Sequence, residues 1–466
     1  MKLLAAALML WPMFALAAPT VIEHEAFGQV RVYGQPSTAQ NLVFLLFDRS
    51  VPGPARDGVA ERVAKTGTLA AVIDIDLYLD ETAKSGEACL YHSWEFEKLS
   101  KYLQKTLDLP QYHRPLLVGL GQGAALAYTT LTEAPQATFA GLVTVGGCVD
   151  FAMPKALCAN EDDTWQRRGS TQLRLKARSQ AEGPWVVLPS SAPDACPADS
   201  MAKFFAQTKG MHFEPMSSAP WAGSQWQRDV AVSVERAIAA LPAHAAVAGT
   251  ISDLPLEEVP APEATRDVFA VILTGDGGWA GIDREIADGL MGAGMNVVGF
   301  NSLQYFWRKR TPEETTQAVS RVIAHYQQKW NAAGVVLVGY SFGADILPFI
   351  VNRLPDDQRT ALRGIAMLAL GRNIRFEFRI GDWMAPISGP DTFPILPEAQ
   401  KMPAIPTLCV YGAEEEAQEL TSCPFLAPER VRMRKTEGGH HFDGDYAAIA
   451  RAILDLLPAP TGPPRR

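Results

Sequence analysis

The sequence predicts an α/β protein built twice: two domains, each a mostly parallel sheet with helices on both faces, joined by a Pro/Glu-rich linker. Three observations carry this expectation. Between residues 268 and 458, short apolar, β-branched runs alternate with amphipathic stretches, the pattern of a parallel sheet covered on both sides. Residues 22–248 show the same alternation in the same order, which implies an internal repeat of roughly 200 residues. Residues 249–267, "GTISDLPLEEVPAPEATRD", are rich in Pro, Glu and Ala, lack periodicity and read as the linker.

The chain opens on "MKLLAAALMLWPMFALAAPTV". Lys2 gives a basic start, Leu3 to Leu16 an apolar run, and Ala15-Leu16-Ala17 a small-x-small cleavage site, so residues 1–17 are expected to be a cleavable signal peptide and the protein periplasmic. The first domain then runs through "NLVFLLFD" (41–48), the helical "GVAERVAKTG", the strand "AAVIDID" (70–76), a helix near 93–107, "PLLVGLGQGAALAYTTL" (115–131) and "PWVVLPSSAPDACP" (184–197). The second begins with the buried strand "VFAVILTG" (268–275), the helix "IDREIADGLMGAG" and the strand "NVVGFN". A helix follows with Thr311 as N-cap, Pro312 at its first position and acids in its first turn. Next come the strand "VVLVG" (335–339), a helix from Gly343, the strands "GIAMLAL", "PTLCVYG" and "RVRMRKT", and a closing helix from Asp443. The tail 459–466, the end of "PAPTGPPRR" (458–466), is expected to be disordered.

Composition narrows the function. The 466 residues are 47% hydrophobic and 20% charged, with a formal net charge of -9 and no dominant Lys/Arg block, which argues against a nucleic-acid partner. Six cysteines in an exported chain permit disulfides, and no C-x-x-C pair suggests a zinc or thioredoxin-type site, so no metal is expected. Cys409 with Cys423 is the easiest pair to propose, and Cys148 with Cys158, ten apart, is a second candidate.

The chemistry centres on Gly339-Tyr340-Ser341-Phe342-Gly343, a G-x-S-x-G between a strand and a helix. In that context it predicts a nucleophile elbow and an α/β-hydrolase-like fold. A Cβ at either glycine would collide with the neighbouring elements, and the elbow holds the Ser341 hydroxyl above the sheet with the Phe342 amide facing a developing oxyanion. The chain order serine, acid, histidine then selects partners. Only His440 and His441, in "EGGHHFDGDY", follow Ser341; His440, after two glycines, is the expected base, and His441 is assigned to packing or substrate binding. The strand "PTLCVYG" ends in Glu414-Glu415-Glu416, where spacing selects Glu415 as the acid with Glu414 as the alternative and Glu416 as a solvated side chain. The loop "TGDGGW" (274–279) is expected to bring the second oxyanion amide, at Asp276, and to let Gly277 and Gly278 approach a ligand. It lacks the Lys-Ser/Thr of a phosphate loop and the spacing of a dinucleotide site, so no cofactor is expected.

"LTGDGGW", "VGYSFGADILP", "VYGAEEE…SCP" and "GGHHFDGDY", in this order behind a signal peptide, resemble the VirJ/AcvB bacterial virulence proteins, and the two-copy layout resembles the longer AcvB type. The resemblance implies a periplasmic α/β-hydrolase linked to virulence and type IV secretion, acting on lysyl-phosphatidylglycerol, with Ser341, Glu415 and His440 as its triad. It also implies a membrane phospholipid head group as substrate and a secretion-system or other periplasmic protein as partner. A lysyl ammonium would need an acid, for which Asp276 and Asp345 are candidates; a helix-packing or capping role for Asp345 stands beside this. Arg308, Lys309 and Arg310 after "YFW", and Arg372, Arg375 and Arg379 before Trp383, are candidate contacts to a lipid phosphate or interface. A non-enzymatic adaptor with the same fold is the rival expectation. In the first domain "VGLGQGAA" takes the place of "VGYSFGAD", with Gly121 at the position of Ser341, and "LLFDRSVPG" replaces the glycine-rich loop. That domain is therefore expected to be catalytically inactive and to lack an oxyanion hole, with His212 the candidate counterpart of the "GGHHF" segment.

Overall fold

The computed structural model describes residues 18–158, 164–168, 172–189, 200–216, 223–241, 251–279, 281–381 and 387–457. The expected signal peptide, the tail, Cys196 and Trp383 lie outside them. The chain divides into two compact units: Met1–Leu99 with Pro115–Glu133 and Ala140–Leu241, and Ser100–Arg114 with Ala134–Phe139 and Pro242–Arg466. The uninterrupted boundary expected from the linker is thus replaced by one at which two short stretches of the first half cluster with the second unit.

The first unit holds an eight-stranded sheet. Its strands are β1 (Thr20–His24), β2 (Gly28–Tyr33), β3 (Asn41–Phe47), β4 (Thr68–Asp74), β5 (Leu116–Leu120), β6 (Gly141–Val145), β7 (Gln180–Leu188) and β8 (Lys209–Phe213). They lie in the order β1-β2-β4-β3-β5-β6-β7-β8. β1, β2 and β4 pair antiparallel; from β4 onward every pairing is parallel. Helices α1 (Gly53–Ala64) and α2 (Gln122–Glu133) follow β3 and β5, and α3 (Gln225–Ala239) follows β8. Val59 and Val63 of α1 and Trp226, Val230 and Val234 of α3 bury one face against Val43, Leu45, Val118 and Leu120. His212 falls within β8, opposite Val186, and its exposed ring lies 3.6 Å from Glu214, so it does not occupy a loop after the last strand as the sequence alignment proposed.

The second unit repeats this arrangement with β9 (Leu256–Val259), β10 (Val268–Leu273), β11 (Val297–Phe300), β12 (Gly334–Tyr340), β13 (Leu362–Leu368), β14 (Thr407–Gly412) and β15 (Val431–Thr436). The order is β9-β11-β10-β12-β13-β14-β15, with only β9 antiparallel. β9 corrects the linker: four of its expected residues form the edge strand, Leu256 opposite Phe300 and Val259 opposite Val297. Two glutamates sit between those apolar ends, and an edge strand is held by backbone pairing rather than by an apolar run, so no periodicity marks it.

Both faces of this sheet are covered. Phe269, Val271 and Leu273 pack with Val319, Val322 and Tyr326 of α4 (Pro312–Lys329) and with Ile346 and Ile350 of α5 (Phe342–Arg353). The alternate residues Ala270 and Ile272 pack with Ile286 and Leu290 near the N-terminal side, and with Ile449 and Ile453 near the C-terminus. Burial of each Val, Leu or Ile side chain contributes about 1.5–3 kcal/mol, so the strands need to be apolar on both sides. α4 starts as its sequence requires: Thr311 accepts the Glu314 amide at 3.1 Å, and the Glu314 carboxylate accepts the Thr311 amide at 2.9 Å. The closing helix starts later than Asp443, at Tyr446, because the Asp445 carboxylate takes the Ala448 amide at 2.9 Å.

Cys409, in β14, is bonded to Cys423, with Cα atoms 5.8 Å apart. Cys158 is bonded to Cys89 and not to Cys148. The short parallel pairing of Cys89–Leu90 with Ala156–Leu157 brings Cys158 beside Cys89, across 69 residues of sequence. Cys148 is also disulfide-bonded.

Candidate active site

The site is built on the elbow between β12 and α5. Ser341 sits at φ 53°, ψ -117°, a strained backbone that turns the chain from strand to helix in one residue. The flanking glycines are steric necessities. A Cβ on Gly339 would lie 2.4 Å from the Gly343 carbonyl oxygen, and one on Gly343 would lie 1.9 Å from that of Leu273. The Ser341 amide donates to the Leu368 carbonyl at 2.8 Å, pinning the elbow to the neighbouring strand.

His440 reaches the serine from the loop after β15. Its Nε2 lies 2.9 Å from Ser341 Oγ and its Nδ1 2.8 Å from Glu415 Oε1. With Nδ1–H donating to the carboxylate, Nε2 is left to accept from the serine hydroxyl. Glu415 is buried at the end of β14, and its other oxygen accepts the Gly412 amide at 2.9 Å, which fixes the carboxylate. Of the three adjacent glutamates only this one meets the imidazole. Glu414 is exposed, with its carboxylate beside Gly439, and Glu416 pairs with Lys435.

The amides of Phe342, next to the serine in the elbow, and Asp276, in the glycine-rich loop, have no acceptor among the described residues. Gly275 leaves the space open: a Cβ there would meet the Tyr340 ring at 3.2 Å and Ser341 Cβ at 3.6 Å. In the same loop Gly278 has φ 76° and lies against Asn301, whereas Gly277 faces open space. Such a series lets a hydroxyl lose its proton to imidazole as it attacks a carbonyl, with two backbone donors for the resulting oxyanion.

The other expected residues divide. Asp345 is buried one turn below Ser341, and its carboxylate accepts the Gly371 amide at 2.7 Å. Burial holds its pKa well above the usual carboxylate range, and the charges acting on it, from Glu415 and Asp276, are both negative. His441 lies beside Tyr340, whose hydroxyl is 3.3 Å from both His441 Nδ1 and the His440 carbonyl. Burial and the neighbouring His440 hold the His441 pKa below its ordinary value. The basic residues are engaged elsewhere. Lys309 and Arg379 pair with Asp391, Arg372 lies over the Phe425 ring, and Arg375 is buried and donates to the Ser388 carbonyl.

Two residues went unassigned in the sequence. Tyr340, the variable residue of the motif, carries the hydroxyl that braces the histidine loop. Asp283 is fully buried, with one carboxylate oxygen unpartnered among the described residues; burial, with Asp276's charge added, pushes its pKa well up. A carboxylate four residues beyond a Gly-Gly-Trp turn, in an otherwise apolar helical face, was the only signal of it.

Residues 267–460 match the family of the bacterial virulence protein VirJ. The second domain is a VirJ domain. The match lies within that domain, and no curated protein matches the chain. Among solved structures, MenH from S. aureus is 12% identical, covering 43% of this chain and 97% of its own, with a TM-score of 0.33. Est1E from Butyrivibrio proteoclasticus, solved with ferulic acid bound, is 12% identical over 44% of this chain and 96% of its own, TM-score 0.33. A monoacylglycerol lipase from Paleococcus ferrophilus is 14% identical over 44% and 99%, TM-score 0.31. At such scores these likenesses decide nothing about the substrate of the VirJ domain.

Proposed function

We propose that the VirJ domain is a serine hydrolase that cleaves an ester through an acyl-enzyme. The observation that carries this reading is the unbroken hydrogen-bonded series Ser341–His440–Glu415 together with two amides without acceptors. In the first step Ser341 Oγ bonds to the ester carbonyl carbon and its proton passes to His440 Nε2. The oxyanion rests on the Phe342 and Asp276 amides. Collapse breaks the bond to the leaving alcohol, which takes the proton back from His440; water then repeats the sequence and releases the acid. Glu415 holds the imidazole tautomer throughout.

The substrate we favour is the aminoacyl ester of lysyl-phosphatidylglycerol, giving lysine and phosphatidylglycerol. A cationic acyl group entering at the glycine-rich loop would meet the half-buried Asp276 carboxylate, which supports this choice, whereas Asp345 is buried on the Gly371 amide. The resemblance to the AcvB type supports a role in membrane lipid homeostasis and virulence. The disulfides Cys89–Cys158 and Cys409–Cys423 suit an oxidising compartment and so a periplasmic location.

The test is release of lysine from vesicles of phosphatidylglycerol containing its lysyl ester, measured by mass spectrometry with the full chain. Wild type should release lysine and the Ser341→Ala variant should not. Equal release by both would overturn the nucleophile. A folded protein inactive on this lipid and on soluble esters alike would leave the rival reading, a non-enzymatic adaptor associated with type IV secretion.

A further inference from the structure

The first domain has its own elbow, and something occupies it. Strand register defines the equivalence: Leu46 pairs with Gly119 as Leu273 pairs with Gly339. Gly121 therefore stands for Ser341, Gln122 for Phe342, Asp48 for Gly275 and Arg49 for Asp276. The steric frame is intact, since a Cβ on Gly119 would lie 2.2 Å from the Gly123 carbonyl and one on Gly123 2.1 Å from that of Leu46. Gly121 keeps the positive φ of the elbow, at 62°. The chain has thus lost the serine but kept the backbone that would display it.

Both donors of this pocket are engaged. The Gln122 amide donates to Asp48 Oδ2 at 2.7 Å, and the Arg49 amide donates to Asp76 Oδ2 at 2.6 Å. Asp48 Oδ1 accepts from the Ser50 amide at 2.8 Å and from its hydroxyl, so the carboxylate is held from both sides. The same Oδ2 lies 2.5 Å from where a Cβ on Gly121 would be. A carboxylate oxygen therefore fills the place of the missing nucleophile's side chain while sitting on the oxyanion amide. The glycine-rich loop is gone, as expected, and no free oxyanion hole is left, because both equivalent amides are taken by carboxylates of the chain itself.

We propose that the first domain retains the two elbow amides, of Gln122 and Arg49, as carboxylate-binding positions and that Asp48 and Asp76 of the same chain are their resident ligands. Each amide is closed by a carboxylate of its own chain. The ligand class is a small carboxylate, and the equivalence rests on backbone register alone, independent of any activity of the second domain.

Chemical rescue of the full-length protein tests this. Asp48→Gly restores the residue found at the equivalent position of the second domain and frees the Gln122 amide. It should lower the unfolding midpoint by about 5 °C. Sodium formate should recover at least half of that, saturably, while sodium chloride at equal ionic strength recovers none and wild type gains nothing from formate. An unchanged midpoint, or equal effects of formate and chloride, would overturn the proposal. Should Asp48→Gly not fold, Asp76→Ala supplies the answer, because Asp76 is partly exposed. By hydrogen exchange the Arg49 amide should then exchange at least about tenfold faster than in wild type, and formate should slow it, while Gln122 is unaffected. An Arg49 amide as protected as in wild type would refute the assignment.

Discussion

In the first domain the strand order β4-β3-β5-β6-β7-β8 carries Gly121 at its elbow; in the second, β11-β10-β12-β13-β14-β15 carries Ser341 at the same turn. The two frames agree in the order and direction of strand pairing and in the glycines that let helix meet strand. They differ in a few side chains. Where the second domain has Gly275 and two unengaged amides, the first has Asp48 lying on one amide and Asp76 on the other. Where the second has His440 after its last strand, the first has no histidine between β8 and α3. A fold of this class is kept by its core, and its chemistry by a handful of positions at the strand ends, so the two can be lost independently.

The sharpest way to break the comparison is to remove the acid. Glu415→Gln should lower kcat by about 10³–10⁴-fold by presenting the wrong tautomer of His440, whereas Glu414→Gln should stay near wild type. Steady-state kinetics on a soluble ester distinguish them, and equal losses would reassign the acid. Next is transplantation of the plug. Gly275→Asp should place a carboxylate over Ser341 and cost about 10²–10³-fold in kcat, the usual effect of losing one oxyanion donor. A variant with full turnover would mean that the space above Ser341 does not hold the oxyanion. The reverse exchange, Gly121→Ser in a Ser341→Ala background, should yield no turnover at all, since neither a base nor an unoccupied hole is supplied.

Smaller effects concern stability. Replacing both Cys409 and Cys423 by Ala opens a loop of sequence separation 14 and should cost about 3 kcal/mol, read by denaturant unfolding of the second domain. In the first domain Glu133 is buried and accepts the His92 and Ser93 amides, and burial pushes its pKa up to about 8. Above the unfolded value near 4.5 the unfolded chain has released this proton while the native state still holds it, so stability falls as pH rises from there to about 8. Glu133→Gln should flatten that slope, and an unchanged pH profile of the unfolding midpoint would contradict it.

The sequence made local geometry legible. The G-x-S-x-G elbow and the Thr311–Glu314 capping box are each fixed within five residues, and Glu415 is placed by its distance from a strand end. Features made by distant segments were not legible. Asp48 meets Gln122 across 74 residues, and Cys89 meets Cys158 across 69; nothing in the composition of "LLFDRSVPG" announces a plug. The edge strand β9 was hidden for another reason, because Glu257 and Glu258 interrupt its apolar ends and backbone pairing alone defines it. Asp283 and Tyr340 acquire meaning only from the burial around them.

The central claim, one reactive serine per chain and a closed second elbow, is tested most directly by intact-mass analysis after treatment with a fluorophosphonate. The account predicts a single adduct, mapped by peptide sequencing to Ser341, absent in Ser341→Ala, and no additional adduct in Gly121→Ser. An unlabelled, folded wild-type protein, or an adduct gained at residue 121, would contradict it.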